Sequence, residues 1–181
     1  MPFHFRNTEL EGVILITPQL FPDHRGYFGE VFKLSAFLEK GVQISPVQAN
    51  LSFSRRGVLR GLHYQLPPAE QGKLVGVVQG RILDVAVDVR KSSETYGKHV
   101  EVELRGGGSH QLLWIPPGFA HGFQALEDSL VLYFVTKEYS KPHERCISWD
   151  DPEIGIVWPL KPILSEKDSQ CPNLSEAEVF P

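Results

Sequence analysis

The amino-acid sequence predicts an all-β protein, a sandwich, jelly roll or barrel, on three observations. Its 16 Gly and 14 Pro punctuate 181 residues heavily. Short β-branched or aromatic runs lie between these breaks. Only one segment of the first half has the pattern of a helix, and a long series of short strands with so little helix favours layered or closed antiparallel sheets.

In chain order, strands are expected at 13–16, 27–32, 47–52, 58–65, 74–79, 82–90, 100–104, 111–115 and 130–136. Gln79-Gly80-Arg81 is expected to join two of them as a tight hairpin, with Gly supplying a positive φ. The expected helix is 35–40, with Ser35 capping its start and Gly41 ending it. The tail from Ser165 onward has room for one or two helical turns. Alternation refines two strands. Leu83, Val85, Val87 and Val89 share one face, opposite Asp84, Ala86, Asp88 and Arg90. Tyr133 shares a face with Val131 and Val135, opposite Leu132 and Phe134. A strand apolar on both faces is buried on both, which puts the Tyr133 hydroxyl inside, where it needs a partner or a substrate.

Composition narrows the function. No linker, repeat or low-complexity segment divides the chain, so a single domain over 1–181 is expected. A net charge of −4 and a pI near 6.0 speak against nucleic acid or an anionic membrane as partner. Any phosphate must therefore meet a local cluster of Arg and Lys. No apolar run approaches the ~20 residues of a membrane span, and the start, Met1 to Asn7, lacks the regions of a signal peptide. Cys146 and Cys171 match no metal spacing and make no disulfide framework. A reducing cytoplasm is the expected address.

The segment Pro116-Pro117-Gly118-Phe119-Ala120-His121 has the form P-x-G-x-x-H and resembles the second motif of the cupins, whose His faces the barrel interior. The first cupin motif supplies an H-x-H pair and a Glu to a metal. Here Arg60-Gly61-Leu62-His63-Tyr64-Gln65 offers a single His, and His63 with His121 falls short of the three or four ligands of a stable site. The resemblance therefore implies a cupin-type jelly-roll barrel with no metal.

A longer series is more specific. Arg25-Gly26-Tyr27-Phe28-Gly29-Glu30, Gln48-Ala49-Asn50, the 60–65 stretch, Gln71-Gly72-Lys73-Leu74-Val75 and 84–90 occur in order. The 116–123 segment, Tyr133, Tyr139-Ser140-Lys141-Pro142, Trp149-Asp150-Asp151-Pro152 and Ser165-Glu166-Lys167-Asp168 follow. From about Phe5 to Pro172 the chain resembles the dTDP-4-dehydrorhamnose 3,5-epimerase family. That resemblance implies cofactor-free inversion of the carbons beside the 4-keto group of dTDP-4-keto-6-deoxyglucose. It makes His63 the general base with Asp168 its partner, Tyr133 the proton donor on the opposite sugar face, and Lys73 the cation for the enolate. It puts Arg25, Phe28, Glu30, Gln48, Asn50, Arg60, His121, Glu144 and Lys167 at substrate contacts, with Tyr139 stacked on the base. It also implies a homodimer in which the strand from Arg25 to Glu30 reaches into the partner's site.

The chemistry asks for these residue types. A C–H beside a ketone is a weak acid, so inversion needs a base on one face and an acid on the other. Imidazole titrates near operating pH, and a carboxylate fixes its tautomer. The enolate needs a preorganised cation, and guanidinium forks match phosphate oxygens.

Taken singly, the same residues have plainer readings. His63 is a core histidine, Tyr133 a core tyrosine bonded to backbone, and Lys73 a solvated strand opener. Asp168 is the fourth residue of a Ser165-x-x-Asp168 capping box. Asp84 and Asp88 are alternative candidates to orient a histidine. His24, His99, His110 and His143 are expected at the surface, and 149–152 in a turn. Arg60 and His63 point to opposite faces of a regular strand, so placing both at a substrate needs a bulge at Gly61 or puts Arg60 at the pocket's end. The rival functions are a mono-epimerase or 3,4-ketoisomerase of another deoxysugar, a barrel that only binds a nucleotide sugar, and a metal-dependent oxygenase.

Overall fold

The structure, a computed structural model, describes residues 2–181. Strands β1 (Phe3–Asn7), β2 (Ile14–Pro18), β3 (Leu20–Asp23) and β4 (Gly26–Gly29) precede helix α1 (Leu34–Glu39). Then come β5 (Gln48–Ser54), β6 (Leu59–Gln65), β7 (Lys73–Gln79), β8 (Arg81–Asp88) and β9 (His99–Arg105). The series closes with β10 (Leu112–Ile115), β11 (Phe119–Ala125), β12 (Ser129–Val135) and β13 (Glu144–Cys146). One sheet runs β1-β2-β10-β7-β12-β5 and the other β13-β6-β11-β8-β9, with β3-β4 as a separate hairpin.

Three apolar clusters follow from the alternation. Val75, Val77, Ala86, Leu113, Phe123 and Val131 fill the space between the two sheets. Val85, Val87 and Val89 point the other way, against Ile147, Ile154, Leu174 and Phe180 of the C-terminal segment. The outer face of the first sheet is covered by α1, where Phe37 packs edge-on against Phe3 and Phe5. The expected faces of β8 and β12 both hold: Tyr133 packs with Val131 between the sheets, and Phe134 with the α1 cluster.

Several expectations need correction. Gly80 does not make a hairpin, because β7 and β8 belong to different sheets and Gly80 is the corner between them. A Cβ there would stand 2.3 Å from the Asp128 carbonyl oxygen, at φ +87°. Helix α1 starts one residue early, with Lys33 at its N-cap position and no side-chain cap; packing of Ala36 and Phe37, rather than Ser35, fixes it. Gly41 follows at φ +78° and ends it as expected. The strand expected over 27–32 stops at Gly29. Strands β1, β3, β11 and β13 were not anticipated. Finally, Cys146 and Cys171 form a disulfide, because the C-terminal segment folds back beside β13.

Candidate active site

The cavity lies between the two sheets, at the end where β6 and β11 of one face β7 and β12 of the other. His63 on β6 is the register partner of His121 on β11, and Arg60 pairs with Phe123, so β6 carries one extra residue between them. That bulge is centred on Gly61, where a Cβ would stand 2.5 Å from Gly122 Cα. It resolves the parity problem: Arg60 and His63 both line the cavity.

His63 Nε2 and Asp168 Oδ1 are 2.6 Å apart. Asp168 comes from a 3₁₀ turn, Asp168–Gln170, and its backbone N–H donates to Ser165 Oγ at 3.1 Å. The Ser165 cap and the histidine contact therefore coexist. Burial pushes the Asp168 carboxyl upward, but the hydrogen bond and charge of His63, with Ser165 and Lys167, hold it below its ordinary value. An ionised carboxylate only accepts, so Nε2 donates and Nδ1 keeps its lone pair.

Lys73 is no solvated strand opener. It sits on an interior strand, 8% exposed, and Nζ donates to the His63 carbonyl at 3.2 Å. Burial lowers its pKa to about 8, against the opposing charges of Asp84 and Glu144. Tyr133 enters from the same sheet as Lys73. Burial raises its pKa, and the Arg60 charge opposes the rise.

Asp84 supplies a second pair, 2.6 Å from His121 Nε2. It thus orients a histidine, but not His63. Asp88, the other alternative, instead accepts from Arg90, Ser93 and Thr95. His121 is buried, which lowers its pKa; Asp84 opposes this, while Lys73 and His63 add to it.

The polar wall continues outward. Glu144 accepts from Tyr139 Oη at 2.8 Å and pairs with Lys167 Nζ at 2.6 Å. Gln48 donates to Asn50 Oδ1 and accepts from the Tyr139 backbone N–H. Arg60 bonds Ser54 Oγ and the Phe53 carbonyl. One cavity of about 530 Å³ holds Arg60, His63, Lys73, His121, Tyr133 and Asp168, with Lys167 at its edge. A second, of about 340 Å³, shares His63, Lys73 and Tyr133 and adds Gln48, Asn50, Tyr139 and Glu144. Among the described residues no group of three His, Cys, Asp or Glu is gathered closely enough to hold a metal.

Three expected residues lie elsewhere. Arg25 is exposed and paired with Asp23 at 2.6 Å, Phe28 is 69% exposed, and Glu30 follows β4; none of them lines either cavity. His99, His110 and His143, expected at the surface, are half-buried and bonded to Glu101, Tyr27 and Ser140. Sequence reasoning missed Ser54 as the partner of Arg60, whereas it anticipated Ser165 as the cap of Asp168. The Ser165-x-x-Asp168 spacing carried the signal for the second.

Two facing antiparallel sheets with a polar cavity between them make this a cupin-type jelly roll, whose P-x-G-x-x-H histidine does face the interior. Comparison with known proteins is more particular. The family profile described as dTDP-4-dehydrorhamnose 3,5-epimerase matches residues 7–176, and the chain belongs to that family. A dTDP-4-dehydrorhamnose 3,5-epimerase of Sinorhizobium fredii is 48% identical over 97% of this chain and 92% of its own. The crystal structure of the Sulfolobus tokodaii enzyme of that name is 59% identical, with a TM-score of 0.93 over the whole of both chains. A Legionella pneumophila epimerase solved with dTDP-4-keto-L-rhamnose is 40% identical, with a TM-score of 0.92 over 96% of this chain and 94% of its own.

Proposed function

We propose that the chain converts dTDP-4-dehydro-6-deoxy-D-glucose to dTDP-4-dehydro-L-rhamnose by inverting C3 and C5 without a cofactor. The observation that carries this reading is the convergence of His63, Asp168, Lys73 and Tyr133 on one cavity from opposite sheets. His63 Nδ1 takes the proton from the carbon beside the ketone, and Asp168 stabilises the imidazolium. The electron pair moves onto the 4-oxygen, where Lys73 balances its charge without a metal. Tyr133 returns a proton to the other face of that carbon; the imidazolium then gives its proton to solvent and the phenolate regains one, and the cycle repeats at the second carbon.

Arg60 and Lys167 supply the positive charge for the diphosphate, with His121, Gln48, Asn50 and Glu144 as polar contacts and Tyr139 stacked on the base. Arg25, Phe28 and Glu30 complete the site from the second copy of a homodimer. An exposed β3–β4 hairpin and the open edge strand β5, where Leu51 and Phe53 are 64% and 59% exposed, support that assembly. The chain forms one epimerase domain over 1–181, supported by the core the two sheets share. Its place is the cytoplasm, since a charged nucleotide sugar does not cross a bilayer unaided.

The test is incubation with dTDP-4-keto-6-deoxyglucose in D₂O containing EDTA, followed by proton NMR. Deuterium entering both C3 and C5 is the expected result. Exchange at C3 alone makes the chain a mono-epimerase or ketoisomerase, and exchange at neither leaves a barrel that only binds.

A further inference from the structure

The Cys146–Cys171 disulfide closes a covalent loop that contains Asp168 and starts beside His63. Cys146 on β13 is the register partner of His63 on β6. Cys171 stands immediately after the Asp168–Gln170 turn. The bridge therefore ties the turn that carries the carboxylate to the strand lying beside the histidine, with their Cα atoms 5.5 Å apart. Both cysteines are half-buried, so a small thiol reaches them.

The turn needs such a tie. The C-terminal segment over 147–181 contains no strand and only the three-residue turn Asp168–Gln170. Its other links nearby are the Ser148 N–H to the Pro172 carbonyl and the backbone bonds of Ile163 with Gly57 and Leu59, the Leu174 N–H to Asp151, and the Lys167–Glu144 pair, whose lysine is exposed. Glu166, Lys167 and Ser169, on either side of Asp168, are exposed. Asp168 itself reaches His63 across a sequence separation of 105. A cross-link of 25 residues' separation that lands beside His63 restrains the part of the site with the least regular structure.

We propose that Cys146 and Cys171 are positioning residues for the epimerisation, their disulfide holding Asp168 at hydrogen-bond distance from His63, so that the thiol–disulfide state of this pair sets turnover. The inference rests on the reading of His63 and Asp168 as base and partner. Reduction by a dithiol is balanced: a dithiol thiolate attacks one cystine sulfur, its second thiol closes on the mixed disulfide, and two electrons and two protons pass to Cys146 and Cys171 while the dithiol becomes a cyclic disulfide. The bridge is uncommon for a cytoplasmic protein outside hyperthermophiles, which makes its place beside the site informative.

The experiment uses the full-length protein, oxidised or treated with dithiothreitol, with thiols counted by alkylation and mass spectrometry. Expected on reduction are two free thiols, an unchanged far-ultraviolet dichroism spectrum, and a loss in kcat of about ten-fold, since misplacing a catalytic group by about 1 Å costs up to about 10²-fold. The His63 Nε2–H proton resonance, sharp and downfield in the oxidised protein, should broaden or move. Cys146→Ser/Cys171→Ser should reproduce the reduced state and lose its response to dithiothreitol. Equal turnover and an unmoved His63 resonance in the two states would overturn the proposal, as would finding both thiols free in fully active purified protein. Asp168→Asn separates this from the parent reading: if that variant keeps full turnover, the dyad itself is wrong.

Discussion

The two histidine–aspartate pairs of the cavity have the same contact distance, 2.6 Å, and their histidines are register partners on neighbouring strands. They differ in where the carboxylate comes from. Asp84 lies on a central strand, wholly buried, and His121 above it is 8% exposed in its side chain. Asp168 comes from the irregular C-terminal segment, and its His63 is 28% exposed. Identical chemistry thus has two settings. A pair sealed in the core disfavours the imidazolium, as the lowered pKa of His121 reflects. The His63 pair is the more open to the cavity, where a substrate would lie. The difference fits the proposal that His63 is the base and His121 a hydrogen-bonding wall.

The strongest way to break that comparison is to remove each histidine in turn. His63→Ala should lower kcat by about 10²–10⁴-fold, the usual worth of a general base, and slow deuterium incorporation at C3 and C5 to match. His121→Ala should act chiefly on KM. A His63→Ala enzyme that still exchanges deuterium while His121→Ala does not would reverse the assignment.

Lys73 gives a smaller effect with a pH signature. Lys73→Met should cost about 10²–10³-fold in kcat, as for one donor to a developing oxyanion. In the wild-type enzyme kcat should fall on the alkaline side with an apparent pKa of about 8, where Lys73 loses its proton, and Lys73→Met should lack that limb. Stability moves oppositely. Between about 8 and the ordinary 10.5 the unfolded chain holds more protons at this lysine than the folded one, so the Lys73 contribution to stability rises with pH across that window. A pH–rate profile beside a pH series of thermal melts reads both, and a flat alkaline limb in the wild type would remove Lys73 from the enolate.

The same contrast explains what was legible in the sequence. Period-two alternation exposed the inward face of β12 and hence Tyr133, because a strand buried on both sides leaves few alternatives. It also put Asp84 on the face of β8 opposite the valines, but could not say that this face is the inner one or which histidine it meets, since that depends on β11 pairing with β8. Strand β11 itself was hidden by Gly122 within it and Gly118 just before it, read as punctuation, although Phe119, His121, Phe123 and Ala125 alternate correctly. Gly80 was misread because a positive-φ glycine serves a hairpin and a corner between sheets equally well. The disulfide was invisible for a different reason: Cys146 and Cys171 meet only through the path of the C-terminal segment, which has almost no periodic pattern. Arg25, Phe28 and Glu30 owed their placement entirely to the family resemblance, and one folded chain does not bring them to the cavity.

The smallest expected effect sharpens the comparison most. Asp84→Asn keeps the side chain's shape and removes the buried charge beside His121. At the low end of the roughly 1.5–3 kcal/mol that a hydrogen bond to a charged group is worth, KM should rise about ten-fold while kcat at neutral pH changes little. The asparagine also withdraws a charge that holds the Lys73 pKa up. The alkaline limb of the kcat profile should therefore move to lower pH, toward neutrality. Asp168→Asn should leave that limb in place and lower kcat throughout, because the charges opposing the fall in the Lys73 pKa are Asp84 and Glu144, not Asp168. Profiles of the two variants measured side by side separate the roles. If both shift the limb, or neither does, the two pairs act as one network and the division by burial fails.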